Sequence, residues 1–241
     1  MAKQTWKPRN MLYPLPAVMV TVADKEGRDN IITIAWTGTV CTNPPMTYIS
    51  VRPERYSHHM LKETGEFVIN LTTRELAYAT DYCGVKSGKD VDKFKEMKLT
   101  RGKSEKVSVP YIEESPVCLE CVVTAVEKLG THDMFIAKVV QVSVDEQYLD
   151  EKGRLALEDA GLVAYVHGVY LSLGEKLGTF GFSVRKKSGA KKTGTAKPAN
   201  AKAEAEKPDR RMAAAKRTNA GKPDKRKAAR GQAGRAPARK R

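Results

Sequence analysis

No stretch of this 241-residue chain approaches the roughly 20 consecutive apolar residues of a membrane-spanning helix. The N-terminal segment, Met1-Ala2-Lys3-Gln4-Thr5-Trp6-Lys7-Pro8-Arg9-Asn10, is polar and basic and leads into no apolar run, so no secretory signal is expected. A reducing cytoplasm is the expected setting, with no membrane span. Also missing are a Gly-x-Gly-x-x-Gly dinucleotide turn, a Walker loop, a Ser–His–Asp set and any metal-ligand cluster, which removes the commonest signatures of nucleotide, hydrolase and metal chemistry.

Cysteine is scarce, with four in all. Cys118-Leu119-Glu120-Cys121 has the spacing of a redox or zinc pair. Ser115–Glu127 reads as a strand, however, and residues three apart in a strand point to opposite faces. A second pair that would complete a zinc site is lacking. Cys41 and Cys83 stand alone, and packing is the expected role for both.

Residues 185–241 contain no Phe, Trp, Tyr, Leu, Ile or Val, and Met212 is their one large apolar side chain. Such a segment cannot bury enough surface to offset chain entropy and is expected to be disordered. It holds 21 of the 43 Lys and Arg and 4 of the 28 Asp and Glu, a net of +17; residues 1–184 are left with 22 basic and 24 acidic residues, a net of −2. The overall basicity therefore belongs to the tail. Its repeated Lys-Pro steps at 197, 207 and 222, with many Ala and Gly, resemble in composition the basic tails of linker-histone-like proteins. The partners this charge suits are nucleic acid, bound electrostatically and without sequence preference, or another anionic surface; a solvated, solubilising extension is the plainer alternative.

Residues 1–184 are of a size for one domain with a real core. Ala17–Ala23 is a β-branched run, followed by the polar turn 24–29 and then the strand-like run Ile31–Val40. Met46–Val51 is a second strand, joined to the first through Cys41-Thr42-Asn43-Pro44-Pro45. His58–Glu63 reads as a short helix, with Ser57 as N-cap and Gly65 past its end. Phe67–Leu71 is a strand, Arg74–Tyr82 has helical spacing, and Ser87-Gly88-Lys89-Asp90 caps another short helix near 91–97. Cys118–Leu129 and Met134–Val144 form a long hairpin across Gly130-Thr131-His132-Asp133. After the polar excursion 145–161, Tyr165–Leu173 alternates as a strand that can close the sheet. Six or so strands with helices in their connections predict a mainly β protein, a closed antiparallel barrel with helical connections.

The section from Asn30 to Asn70 carries the most chemistry. Trp36-Thr37-Gly38-Thr39-Val40 is small and hydroxyl-rich, Arg52 follows the next strand directly, and Ser57 and His58 stand where a helix starts. A flat aromatic cofactor with a phosphate tail needs such parts: backbone and hydroxyl groups along the ring edge, and an Arg with a helix N-terminus at the phosphate. On pattern alone the same residues also read as a buried strand, a solvated charge and an ordinary cap.

Seven segments in order resemble the flavin reductase-like, FMN-binding split-barrel family, on its flavoredoxin branch. They are 34–40 (IAWTGTV), Pro44-Pro45, 52–57 (RPERYS), 64–70 (TGEFVIN), 81–84 (DYCG), 87–94 (SGKDVDKF) and Gly130-Thr131-His132. The resemblance runs over roughly residues 12 to 177. It implies a Greek-key split barrel with FMN as cofactor and the activity of an oxidoreductase of the flavin reductase type. It places Trp36, Thr37, Gly38, Thr39 and Val40 along the isoalloxazine ring, Arg52, Ser57 and His58 at the phosphate, and Asn70 and Thr72 at the ring or ribityl chain. Ser87 and Lys93 are implied as further phosphate ligands, with Phe94 covering the ring. His132 is implied on the nicotinamide side, as the catalytic candidate. Related reductases carry Gly-Asp-His there, followed five residues later by Gly; Thr131 and Ala137 stand at those two places in this chain.

The expected function is electron transfer from NADH or NADPH, or another donor, through FMN to a flavin or protein acceptor. A homodimer is expected from the family. The rivals are a non-catalytic FMN electron carrier and a nucleic-acid-associated protein tethered by its tail.

Overall fold

The computed structural model describes residues 1–185, and the expected basic segment lies outside the described residues from 186 onward. The strands are β1 (Leu15–Pro16), β2 (Val18–Ala23), β3 (Asp29–Ile34), β4 (Thr37–Cys41), β5 (Met46–Val51), β6 (Glu66–Leu71), β7 (Arg101–Gly102), β8 (Tyr111–Ile112), β9 (Val117–Lys128), β10 (Asp133–Val144), β11 (Val163–Val166) and β12 (Val169–Ser172). Three helices, α1 (Tyr56–Thr64), α2 (Ala77–Val85) and α3 (Lys93–Met97), sit in the connections. The protein is mainly β, as its sequence predicts.

Seven strands pair antiparallel in the order β3-β2-β6-β9-β10-β5-β4. The ladder curls into a split barrel. Its two edges, β3 and β4, are consecutive in sequence and joined by Ala35 and Trp36 alone. The expected single run Ile31–Val40 is therefore two strands. β3 pairs with β2 at one edge, β4 pairs with β5 at the other, and the chain crosses the split between them. Apolar residues facing inward fill the barrel, among them Val20, Ile49, Met60, Phe67, Cys121 and Phe135. Burial of this kind contributes on the order of 1.5–3 kcal/mol per large side chain.

The long hairpin β9–β10 forms as its sequence predicts, with register irregularities at Ile136/Ala137 and Val139/Gln141 that curl it. The expected closing strand over 165–173 does not exist. His167 (φ 45°) and Gly168 (φ 99°) make a left-handed turn that splits it into β11 and β12, which pair with each other, and β11 also pairs with β1, in a separate three-stranded sheet.

A second apolar cluster of Met19, Ile31, Leu76, Cys83, Phe94 and Ile112 holds α2 and α3 against the outside of β2 and β3. Glu120 is buried on β9, and its carboxylate accepts the backbone N–H groups of Glu105, Lys106 and Val107, which pins that loop to the sheet. No helix among the described residues is long and apolar enough to cross a membrane.

Candidate functional site

The start of α1 differs from its sequence expectation in a way that shapes the site. The helix begins at Tyr56, its N-cap is Arg55 in an extended conformation (φ −73°, ψ 135°), and no side chain caps it. Ser57 lies within the first turn instead of at the cap, 1% exposed, and its hydroxyl accepts a hydrogen bond of 2.8 Å from Asn30 Nδ2. The buried amide of Asn30 on β3 needs a partner and takes this one. The His58 amide donates to Arg55 O at 2.9 Å, which leaves the amides of Tyr56 and Ser57 at a helix end whose dipole favours an anion. Arg52 and Arg55 are both exposed beside it.

Ser87 and Gly88 reach the same place. A Cβ on Gly88 would lie 2.1 Å from Asn30 Oδ1, so glycine is required for the backbone to pass so close. Ser87 Oγ accepts from Lys89 N at 3.2 Å. Asn30 therefore lies against both Ser57 and Gly88, 31 positions apart in sequence.

Lys93 and Phe94 take other places than the resemblance implies. Lys93 is 4% exposed, and its Nζ donates to the carbonyls of Ile31 (2.6 Å) and Cys83 (2.8 Å). Burial pushes its pKa down to about 8, with the charge of Arg55 acting in the same sense and Cys83 opposing it. Phe94 is 1% exposed in the outer cluster, and Arg101 lies over its ring at 4.2 Å. Both residues hold α3 to the sheet.

Asn70 and Thr72 are also turned into the framework. Asn70 is fully buried; its amide donates toward Met19 O, Thr21 Oγ1 and Val68 O, and its oxygen accepts from Ile112 N at 2.8 Å. Thr72 donates to Ala17 O.

On the other side of the split, Thr37 is buried and donates to Tyr48 O at 2.6 Å, while Gly38 O accepts from Thr47. Gly38 itself lies against the Tyr48 ring, which a Cβ would meet at 3.3 Å. Thr39, Val40 and Trp36 are open to solvent. Among the described strands β4 pairs with β5 alone, which leaves its outer edge for a ligand.

Trp36 and the imidazole of His132 are parallel, with centroids 6.4 Å apart and planes 2° from each other. Thr131 Oγ1 lies 2.9 Å from His132 Nδ1. Burial lowers the His132 pKa below its ordinary value, Arg52 adds to that and Glu54 opposes it, so the ring is neutral at pH 7. Strand register explains the meeting. Val51 faces Asp133, which sets the next residue on β5's exit, Arg52, beside His132.

His58 points into the barrel and away from the outer end of the helix. Its Nε2 is 2.8 Å from Asp133 Oδ2, and its ring meets Phe135 edge-on at 5.5 Å.

Of the residues chosen from sequence, Trp36, Arg52 and His132 lie together at the open split, while Thr39 and Val40 are exposed further along β4, towards the Met46 end of β5. Ser57, His58, Asn70, Thr72, Lys93 and Phe94 form the framework behind it, and Ser87 borders it. Arg55, Asn30, Tyr48 and Asp133 are additions. A polar Asn inside the apolar run 30–34 was a usable signal for Asn30. Nothing in sequence spacing marks Asp133 as a partner of His58.

Cys83, Cys118 and Cys121 are buried. Cys83 and Cys118 are pushed up to about 11 and Cys121 to about 12, in each case chiefly by burial. Cys121 faces the barrel core and Cys118 the opposite cluster, as expected for residues three apart in a strand. Among the described residues no group of three or more His, Cys, Asp or Glu is placed to hold a metal.

A model of the flavin reductase like domain matches residues 10–174. Among solved structures, the flavoredoxin of Desulfovibrio vulgaris (Miyazaki F) is 30% identical, with a TM-score of 0.71, and the match covers 76% of this chain and all of that one. An FMN-binding protein of Thermus thermophilus, solved with bound 1-cyclohex-2-enone, is 26% identical with a TM-score of 0.63, over 73% of this chain and 99% of that one. An uncharacterized protein of Archaeoglobus fulgidus is 32% identical over 141 residues, 58% of this chain and 78% of that one.

Proposed function

This chain belongs to the flavin reductase-like family, and from that membership we propose that it passes electrons from NADH or NADPH through FMN to a flavin or protein acceptor. FMN is the cofactor of this fold, and the residues present fit it. The start of α1, which no side chain caps, suits its phosphate together with Arg52 and Arg55, and the outer edge of β4 from Trp36 to Val40 suits the rim of its ring. When bound, FMN supplies the two-electron chemistry, and the protein's task is to orient it and shape the approach of the donor.

The observation that carries the reading is the Trp36–His132 stack beside Arg52. It sets a flat, neutral aromatic wall next to a cation at the mouth of the split. That arrangement suits a nicotinamide laid against the ring edge, with Arg52 attracting the donor's or the cofactor's phosphate. The framework residues Ser57, Asn30, Gly88 and Lys93 keep the helix end and the 84–88 turn in register. The purified protein should oxidise NADH or NADPH in the presence of FMN, as followed by loss of absorbance at 340 nm. No turnover with either nucleotide removes the donor assignment.

A non-catalytic FMN electron carrier is the second reading. The flavoredoxin likeness and Thr131 in place of the acidic residue favour it. Retention of yellow FMN through gel filtration, without nucleotide turnover, would select it.

We further infer a two-fold homodimer. Exposed apolar residues on the long hairpin, Val126, Leu129 and Val142, support such pairing. Light scattering at micromolar concentration should return twice the chain mass.

A further inference from the structure

Taking the FMN site proposed above as given, we propose that Asp133 is a positioning residue for the flavin phosphate, acting through His58 to hold the first turn of α1. The first turn lacks a side-chain cap, and the segment before it, 52–55, is exposed. Two buried side-chain bonds fix it instead. Ser57 is held by Asn30 on β3, and His58 by Asp133 on β10. These strands are not neighbours in the ladder, so the turn is clamped from two sides.

The His58–Asp133 bond has a single geometry. Both side chains are about nine-tenths buried, at 10% and 9% exposure, and the His58 ring is wedged at 74° against Phe135. Leaving either group unpaired there is costly, so the bond persists and its direction is imposed on the helix. Such a pair need not add stability, since apolar residues of similar volume commonly replace buried polar pairs without loss. What apolar residues do not supply is a fixed direction. Asp133 also follows His132 immediately and faces Val51, the residue before Arg52. Asp133 thus ties the helix end to the sheet through its carboxylate, and its backbone lies beside the root of Arg52 and the His132 turn.

The test compares affinities for FMN and riboflavin, which differ only by the phosphate, by fluorescence titration of the full chain. In the wild type FMN binds more tightly. Asp133→Ala should cut the FMN-to-riboflavin affinity ratio roughly tenfold, the loss of one well-aligned charge-assisted contact, while riboflavin affinity stays within about twofold. Asp133→Asn keeps an acceptor for His58 Nε2 and should restore most of the ratio. Because Asp133→Ala strands a buried imidazole and risks misfolding, the double variant His58→Leu/Asp133→Val removes the bond without an orphaned partner. It should fold and still show the reduced ratio. An unchanged ratio in a folded double variant overturns the assignment, as does an equal fall in both affinities. A wild type with no preference for FMN over riboflavin would overturn the phosphate site itself, and is seen before any variant is made.

Discussion

Trp36 and His132 lie 96 positions apart in sequence yet stack within 2° of parallel. The split in the barrel brings them together. Trp36 sits where the chain crosses from β3 to β4, and His132 sits in the turn before β10, two strands in from that edge. On the proposed reading His132 serves the donor side and not the binding of FMN.

His132→Ala should therefore slow NAD(P)H oxidation while leaving FMN affinity within about twofold of wild type. Its lowered pKa keeps the ring neutral at pH 7, with protonation setting in only below its ordinary value. Turnover should thus be flat from pH 7 to 8 and change on acidification below about 6.5. Equal turnover in wild type and variant would take His132 out of the mechanism.

Arg52→Ala and Arg55→Ala should each weaken FMN binding by about 1.5–3 kcal/mol, the usual worth of a hydrogen bond to a charged group. Exposure of both guanidinium groups places the expected effect at the low end. Riboflavin, which lacks the phosphate, should be nearly insensitive to either change. Isothermal titration with both ligands checks this, and an equal effect on riboflavin would place the arginines elsewhere.

Much of this was legible in the sequence, and the exceptions share a cause. The β-branched run Ala17–Ala23, the strand Phe67–Leu71, the long hairpin and the glycine after α1 follow from local pattern, and each forms. Trp36, Arg52 and His132 stood out as candidate site residues because their segments resemble a family. The break at Ala35–Trp36 was hidden, since both halves of the run are good strand sequence and only the choice of partner strand separates them. The His167-Gly168 turn was missed because His is an uncommon αL residue beside the glycine. The inward course of Lys93 was unreadable too. A Lys on a short helix is ordinarily solvated, and only the two carbonyls that converge on it account for its burial.

Residues 185–241 give a prediction from charge alone. A net of +17 without aromatic side chains permits phosphate contacts but no base stacking. We propose that this segment is an electrostatic, sequence-blind tether for nucleic acid. Cutting the chain after Val184 should abolish retention on DNA at low salt and leave FMN affinity and melting temperature unchanged. For the intact chain, log affinity should fall linearly with log salt, with a slope of about −0.9 per duplex phosphate neutralised. DNA binding by the truncated protein, or binding indifferent to salt, would refute the tether.

Lys93 makes stability depend on pH in a defined direction. In the folded protein its pKa is pushed down to about 8, chiefly by burial, against an ordinary value of 10.5. Below pH 8 both states carry the proton, and the folded state bears the full cost of a buried ammonium. Between pH 8 and 10.5 the unfolded chain binds more protons than the folded one, so stability should rise with pH across that window, by on the order of 3 kcal/mol in total from this group. The buried thiols act oppositely. Their folded pKa values lie near 11 to 12, above the ordinary 9, so they lower stability once the pH passes 9. Lys93 is thus best isolated between pH 8 and 9, or by difference. Lys93→Met loses the bonds to Ile31 and Cys83 together with the titrating amine, and should lose the rise. Urea unfolding of both proteins from pH 7 to 10 measures it, and parallel curves would show that the Lys93 ammonium is not titrating in the folded state over that range.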